Sequence, residues 1–600
     1  MQSSTMSAPI TSPSPSPSHA HPFIKALDDI ASKTLAPGYQ YGNNNHVEYK
    51  DITTSLATLQ EKIMQFSFQL VRTSSETGLS VVAKDTREIL NIIMSGIKTI
   101  DKSSSDYKMC IDMGIIMFKL LAQTRDIIGG KGEYMLFYVM LLEWAKVDFR
   151  FFEYVIETLV YDTQDNTDNV DSTDTGDSKS KQHPLGSWKD MKYFLTYMKE
   201  QLLGSSNCTV EGNSQLYSRF VNKIVNLINE QLRIDAVSLE KGGTSFSLEV
   251  ISAINKKLDT TQVKQCGGKW SEINFNNVTS ITMHKQTNSF LNLNKNGKTT
   301  RCENDEDRNN CKDNYEAYLR DVVGGSNKIK GKRVSVIDFV KSAIDCKTKS
   351  LPTDSPIITA LNEQWKSNSI QNGNLGNFIA MTDVSGSMTE DNSNPLHSAI
   401  GLSIRVAEKS VLGQRVMTFS ERPTWIQLGT QDSDTFVKQV NKVLTSSWGM
   451  TTNFYLAIDL IREGIEDNKL PREVAENLVL VVFSDMQMNN ASTSIRDLSA
   501  RATLFENIKL MFAKMGERLY GEPCKAPHIV FWNLRKTTGF PSLSTDQNVS
   551  MMSGFSPALL NVFCEKGVEG LQQYTPWNTL HNSLNNKRYS GFDRIFKQVV

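Results

Sequence analysis

The stretch Phe378–Met388, FIAMTDVSGSM, decides the fold. Its opening residues read as a buried strand over Phe378–Thr382, and the polar run that follows ends the strand in a tight loop. Asp383, Ser385 and Ser387 alternate along that loop, and Gly386 eases its turn, so three oxygens can face one point as a hard cation requires. Outward from it, short apolar runs predict further strands at Arg415–Phe419, Leu478–Phe483 and His528–Trp532. Amphipathic segments between and after them predict helices at Pro395–Lys409, Thr435–Leu444, Phe454–Glu463, Ile495–Lys514 and Ala558–Lys566. The run LVLVVF is continuously apolar, the mark of a central strand covered on both faces. Residues 377–600 are therefore expected to form a doubly wound, Rossmann-like α/β domain of about four to six strands. Open sheets of this kind place ligands at the carboxyl ends of their strands. Two further oxygen donors are expected at that edge, Asp485 in FSDMQ and Thr452 in WGMTTNF, with Thr451 the adjacent alternative for the second.

The chain has 600 residues, too many for one ordinary core, so it is expected to be multi-domain. Residues 1–50 carry Ser-Pro repeats and read as a disordered tail without the basic start and apolar stretch of a secretory signal. Residues 51–345 read as an all-α domain, since apolar residues recur at three and four, as in Leu56, Leu59, Ile63, Phe66 and Leu70. The loop RDIIGGKGE separates two apolar helices there, and Gly129, Gly130 and Gly132 are expected to supply positive φ. Two departures interrupt the pattern: an Asp-rich segment at 161–183, expected to be disordered, and an Asn/Lys-rich one at 267–313, expected to form long loops. Residues 346–376 read as a linker between two separately folding units.

The 65 basic side chains balance 65 acidic ones, so overall charge selects no nucleic-acid or membrane partner. The longest apolar run, near Tyr134–Leu142, is far shorter than the ~20 residues that span a bilayer, so no membrane contact is expected. Eight scattered Cys without CxxC spacing suit reduced thiols, and the chain is expected to be intracellular and cytoplasmic.

Asp383, Ser385, Ser387, Thr452 and Asp485 resemble the metal-ion-dependent adhesion site of von Willebrand factor A domains, whose pattern is Asp-x-Ser-x-Ser, then Thr, then Asp. The resemblance implies a von Willebrand A-like domain that binds Mg²⁺, or Mn²⁺, and presents it to an acidic protein ligand. More widely, QTRDIIGGKGE, PLGSWKD, CKDNYEAYLR, TFSERPTW, VFSDMQMNNAS and HIVFWNLR resemble the uncharacterised family labelled domain of unknown function 2828, of plants, fungi and large DNA viruses. That family is similar in layout to the Ro autoantigen, in which a ring of helical repeats, the TROVE module, binds RNA and a von Willebrand A domain closes it. The layout implies that residues 51–345 form a helical-repeat domain with structured or single-stranded RNA as its partner, and Lys328, Lys330, Lys332 and Arg333 in SNKIKGKR, with Arg125 and Lys131, are the candidate contacts.

Catalysis is not expected. A dehalogenase-like phosphatase needs a second Asp two residues after the first, where Ser385 stands. IIGGKGE and CGGKWSE lack the Ser or Thr after Gly-Lys that a phosphate loop uses on Mg²⁺, and no HExxH occurs. The expected function is thus metal-dependent binding or scaffolding. RNA binding through the helical domain is the alternative, and a metal-dependent phosphoryl transfer is a weaker third.

Overall fold

The computed structural model describes residues 38–161, 183–204, 211–233, 248–419, 421–429, 434–446, 453–488, 499, 502–564 and 568–600. The Asp-rich segment and Thr451–Thr452 lie outside them, save for Tyr161 and His183 at the segment's ends. The N-terminal region is helical, and the C-terminal region is a mixed six-stranded sheet flanked by helices, an α/β arrangement. No helix among the described residues is long and apolar enough to cross a membrane.

The expectation of a disordered tail is corrected for residues 38–50. Within 38–50 a small antiparallel hairpin forms, β1 (Tyr39–Tyr41) with β2 (Val47–Tyr49), and Tyr39 stacks on Tyr49. It is sewn to the C-terminal region by backbone hydrogen bonds between Tyr49 and Phe540.

The main sheet contains β3 (Phe378–Asp383), β4 (Arg415–Phe419), β5 (Thr424–Gln427), β6 (Val479–Ser484), β7 (His528–Asn533) and β8 (Val549–Ser553). Their order is β5-β4-β3-β6-β7-β8; β5 is an antiparallel edge and every other pairing is parallel. The chain leaves β3 for β4 on one side and later returns to β6 on the other, so β3 and β6 flank the point where strand order reverses. Side-chain alternation divides the strands between two cores. Ile379, Met381, Leu480, Val482, Ile529 and Phe531 join one, with the helices Phe454–Asp467 and Leu504–Tyr520. Phe378, Ala380, Val479, Val481, Val530 and Trp532 join the other.

That second face corrects the expected linker. Residues 346–376 contain the helix Pro356–Ser369, which packs on Val336–Thr348 and Phe436–Leu444, and Val336–Thr348 in turn packs on Glu390–Lys409, the helix that lies against the strands on this face. Trp365 stacks on Phe436 with ring centroids 3.9 Å apart, and the Arg405 guanidinium lies over the Trp365 ring. Polar residues in this stretch misled the expectation because they are satisfied inward: Asn368 and Asn372 both bind buried Arg405.

The expected loops at 267–313 are corrected as well. They include the helix Ser280–Phe290 and the first turns of Glu306–Val323, which share a compact core of Phe275, Met283, Phe290, Tyr315 and Tyr318. A few aromatic and aliphatic residues make the core, while most Asn and Lys side chains face water and the buried Thr287 and Asn292 are hydrogen-bonded inside.

The first core runs without a break from the N-terminal helices into the sheet. The chain's last helices, Pro576–Leu584 and Ser590–Val599, return to the N-terminal helices Ser105–Arg125 and Phe149–Thr158. Phe592 meets Phe118 at 4.8 Å and Phe596 stacks on Phe151 at 5.8 Å. Gly114 is required there, since a Cβ would lie 2.1 Å from the Phe596 ring. Arg588 holds Asp126 with two bonds of 2.7 Å, and Tyr589 donates to the same carboxylate. Helices and sheet thus form an interlocked body rather than two units joined by a linker. In the loop after Arg125 only Gly132 has positive φ; Gly130 is needed for close approach instead, because a Cβ would meet the Gln123 carbonyl at 2.0 Å.

Candidate metal-binding site

Asp383 ends β3 and Asp485 follows β6, and the parallel register that pairs Thr382 with Phe483 sets Asp383 level with Ser484. Both carboxylates are fully buried. Asp383 Oδ1 accepts the Ser385 N–H at 2.9 Å, which closes the loop, and Oδ2 accepts the Ser484 hydroxyl at 2.6 Å. The Ser385 and Ser387 hydroxyl oxygens stand 3.2 Å apart. Asp485 Oδ1 accepts the Gln487 N–H at 3.1 Å, whereas Oδ2 has no hydrogen-bond partner.

Burial first, and then the charge of Asp485, pushes the Asp383 carboxyl up to about 7. Asp485 is also raised, by burial, against the opposing pull of the Gln487 N–H, the Ser387 hydroxyl and Arg535. Two buried acids side by side are unfavourable when both are ionised. A divalent cation would relieve both and use the orphaned Oδ2, so the residues fit a hard ion bound by carboxylates and hydroxyls. Among the described residues no three His, Cys, Asp or Glu side chains gather, so the donor set differs from a zinc cage.

The structure brings together Asp383, Ser385, Ser387 and Asp485 of the expected ligands; Thr452 lies outside the described residues. Asn453 caps the helix Phe454–Asp467 by accepting the Leu456 N–H, and Phe454 packs on Phe419 at the carboxyl end of β4, next to β3.

Sequence reasoning missed Ser484 and Arg535. Ser484 could have been found, since it directly precedes Asp485 at the strand end. Arg535, two residues past β7, carried no pattern, yet its Nη1 stands 3.6 Å from Asp485 Oδ2. The same guanidinium reaches Glu390 and, from Nε, Asp391 at 3.8 Å.

The candidate RNA contacts divide. Arg125 is buried in a bidentate pair with Asp190, both bonds 2.8 Å. Lys131 is buried and donates to the Ser67 and Leu70 carbonyls and to Ser553 Oγ, tying the helical region to the end of β8. These two cations hold the fold, and their burial leaves neither open to a phosphate. Lys328, Lys330 and Lys332 are exposed, and half-buried Arg333 donates to Gln371. Separately, a cavity of about 490 Å³ in the helical region is lined by Lys285, Lys295, Arg301, Lys341 and Lys349 among others.

No curated protein matches this chain. The family model that matches differs from the domain of unknown function 2828 that the motifs resemble: over residues 377–591, which contain β3 to β8 and every described residue of the candidate site, the chain is similar to the family described as Domain of unknown function (DUF7788).

Proposed function

We propose that the C-terminal sheet carries a von Willebrand A-like site for one Mg²⁺ or Mn²⁺ ion, held by Asp383, Ser385, Ser387 and Asp485 with Thr452, and that the ion engages an acidic protein ligand. The observation that carries the reading is the buried Asp485 Oδ2 without a hydrogen-bond partner, beside a second buried carboxyl at the strand-order reversal. With only two carboxylates and three neutral hydroxyls as ligands, the ion keeps much of its positive charge and an open position that a carboxylate from outside can fill. The function is binding or scaffolding inside the cell. Retention of acidic peptides on the immobilised full-length protein tests it: retention in Mg²⁺, lost in EDTA and in Asp485→Asn, supports the reading, and metal-independent retention contradicts it.

A second reading, RNA binding by the helical region, rests on the cavity lined by five cations. Lys349 is offset by Asp345 and Lys341 bonds the Asn394 amide, while Lys285, Lys295 and Arg301 line the cavity together with Asp338. Such a cluster can neutralise phosphates.

A further inference from the structure

Arg535 is placed to act on the candidate site without being a ligand in it. Its backbone N–H donates to Asn533 Oδ1 at 3.1 Å, which fixes the turn after β7 and aims the side chain along the carboxyl edge of the sheet. From there the guanidinium meets carboxylates on two sides. Inward lies Asp485 Oδ2, fully buried and without a hydrogen bond, at 3.6 Å from Nη1. That distance gives charge attraction without satisfying the oxygen's lone pairs. Outward lie Glu390 and Asp391, exposed at the start of the helix that follows the metal loop. Asp391, Asn392 and Ser393 all have positive φ, 51°, 59° and 57°, so this outer anchor is a left-handed turn set between the metal loop and the regular helix.

A single guanidinium therefore serves an inner carboxylate with one oxygen that lacks a hydrogen bond and an outer pair that already grips it. We propose that Arg535 is a tethered counter-ion of the site: it partly neutralises Asp485 when no metal is bound, and a divalent ion displaces it onto Glu390 and Asp391. Metal affinity is then set by competition between the ion and this side chain, and acidic groups that bind Arg535 from outside would favour the metal-bound state. The inference rests on the proposed metal site and adds its regulation.

Full-length wild type, Arg535→Gln, Arg535→Lys and the double variant Glu390→Gln/Asp391→Asn are titrated with Mn²⁺ by calorimetry, and each is melted in EDTA and in Mg²⁺. The expected result is about tenfold tighter Mn²⁺ binding by R535Q, since a competing unit charge a few ångströms away is removed. R535Q should also melt earlier in EDTA and gain more from Mg²⁺ than wild type does. R535K, which keeps the charge, should bind within about twofold of wild type. The double variant, which removes the outer anchors, should bind more weakly. Wild type that binds Mn²⁺ with R535Q equal or weaker would overturn the inference and leave the metal site standing. Absence of binding by every variant would overturn the metal site itself.

Discussion

Ser484 donates its hydroxyl to Asp383 Oδ2 at 2.6 Å across the β3–β6 pairing, so the strand that leads to the second carboxylate also braces the first. Ser484→Ala removes that bond from a buried acceptor. The expected cost is about 2 kcal/mol of stability, read by denaturant titration in EDTA at neutral pH. Unchanged stability would show that the bond is not formed in solution.

Proton linkage at Asp383 gives a second expectation. Its carboxyl is raised from the ordinary 3.8 to about 7 by burial and by Asp485. The native state then holds a proton that the unfolded state releases, so stability of the metal-free protein should fall as pH rises from about 4 to about 7. Asp383→Asn should flatten this decline. Because the metal needs the ionised form, Mg²⁺ affinity should fall by up to about tenfold per pH unit below 7. A metal affinity that does not change between pH 5.5 and 7.5 would argue against Asp383 as a ligand.

The interlock of the two regions predicts how the chain breaks. Phe596→Ala opens a cavity against Phe151 and Trp144 and should cost about 3–5 kcal/mol. Residues 377–600 expressed alone would expose Phe592 and Phe596, and limited proteolysis should release no stable fragment that begins within 346–376. A soluble, cooperatively melting 377–600 fragment would show that the shared core is dispensable.

For the RNA reading, replacing Lys285, Lys295 and Arg301 together by Gln should weaken single-stranded RNA and flatten its salt dependence, by about 0.7 in log–log slope per lost phosphate contact. Melting temperature should hardly change. By contrast Arg125→Gln should lower stability strongly, since Asp190 would be left buried without its partner, and any loss of RNA binding would follow from unfolding.

Parts of this architecture were legible because burial writes itself into residue type. LVLVVF is apolar throughout and Arg415–Phe419 is apolar at three of its five positions, and both strands hold their positions within a residue. β8, VSMMS, is hidden by two serines whose hydroxyls are satisfied inside, Ser550 between His528 and Thr579 and Ser553 on the Ser67 carbonyl. β5, TWIQ, is a short edge strand with half its side chains in water. At the site, Asp383 and Asp485 stood out because carboxylates directly after apolar strands invite a reason. Arg125 and Lys131 misled for the opposite cause: such side chains are normally exposed, and nothing local reveals that Asp190, or a ring of two carbonyls and a hydroxyl, encloses them. Arg535 acts through partners far apart in the chain, which no local pattern records.

Calorimetric titration of Mn²⁺ or Mg²⁺ into the full-length protein, beside Asp383→Ala, decides whether an ion binds at the end of β3. A single site is expected in wild type and is lost in Asp383→Ala while the variant stays folded. No heat of binding in wild type, or an equal site in the variant, would contradict that expectation.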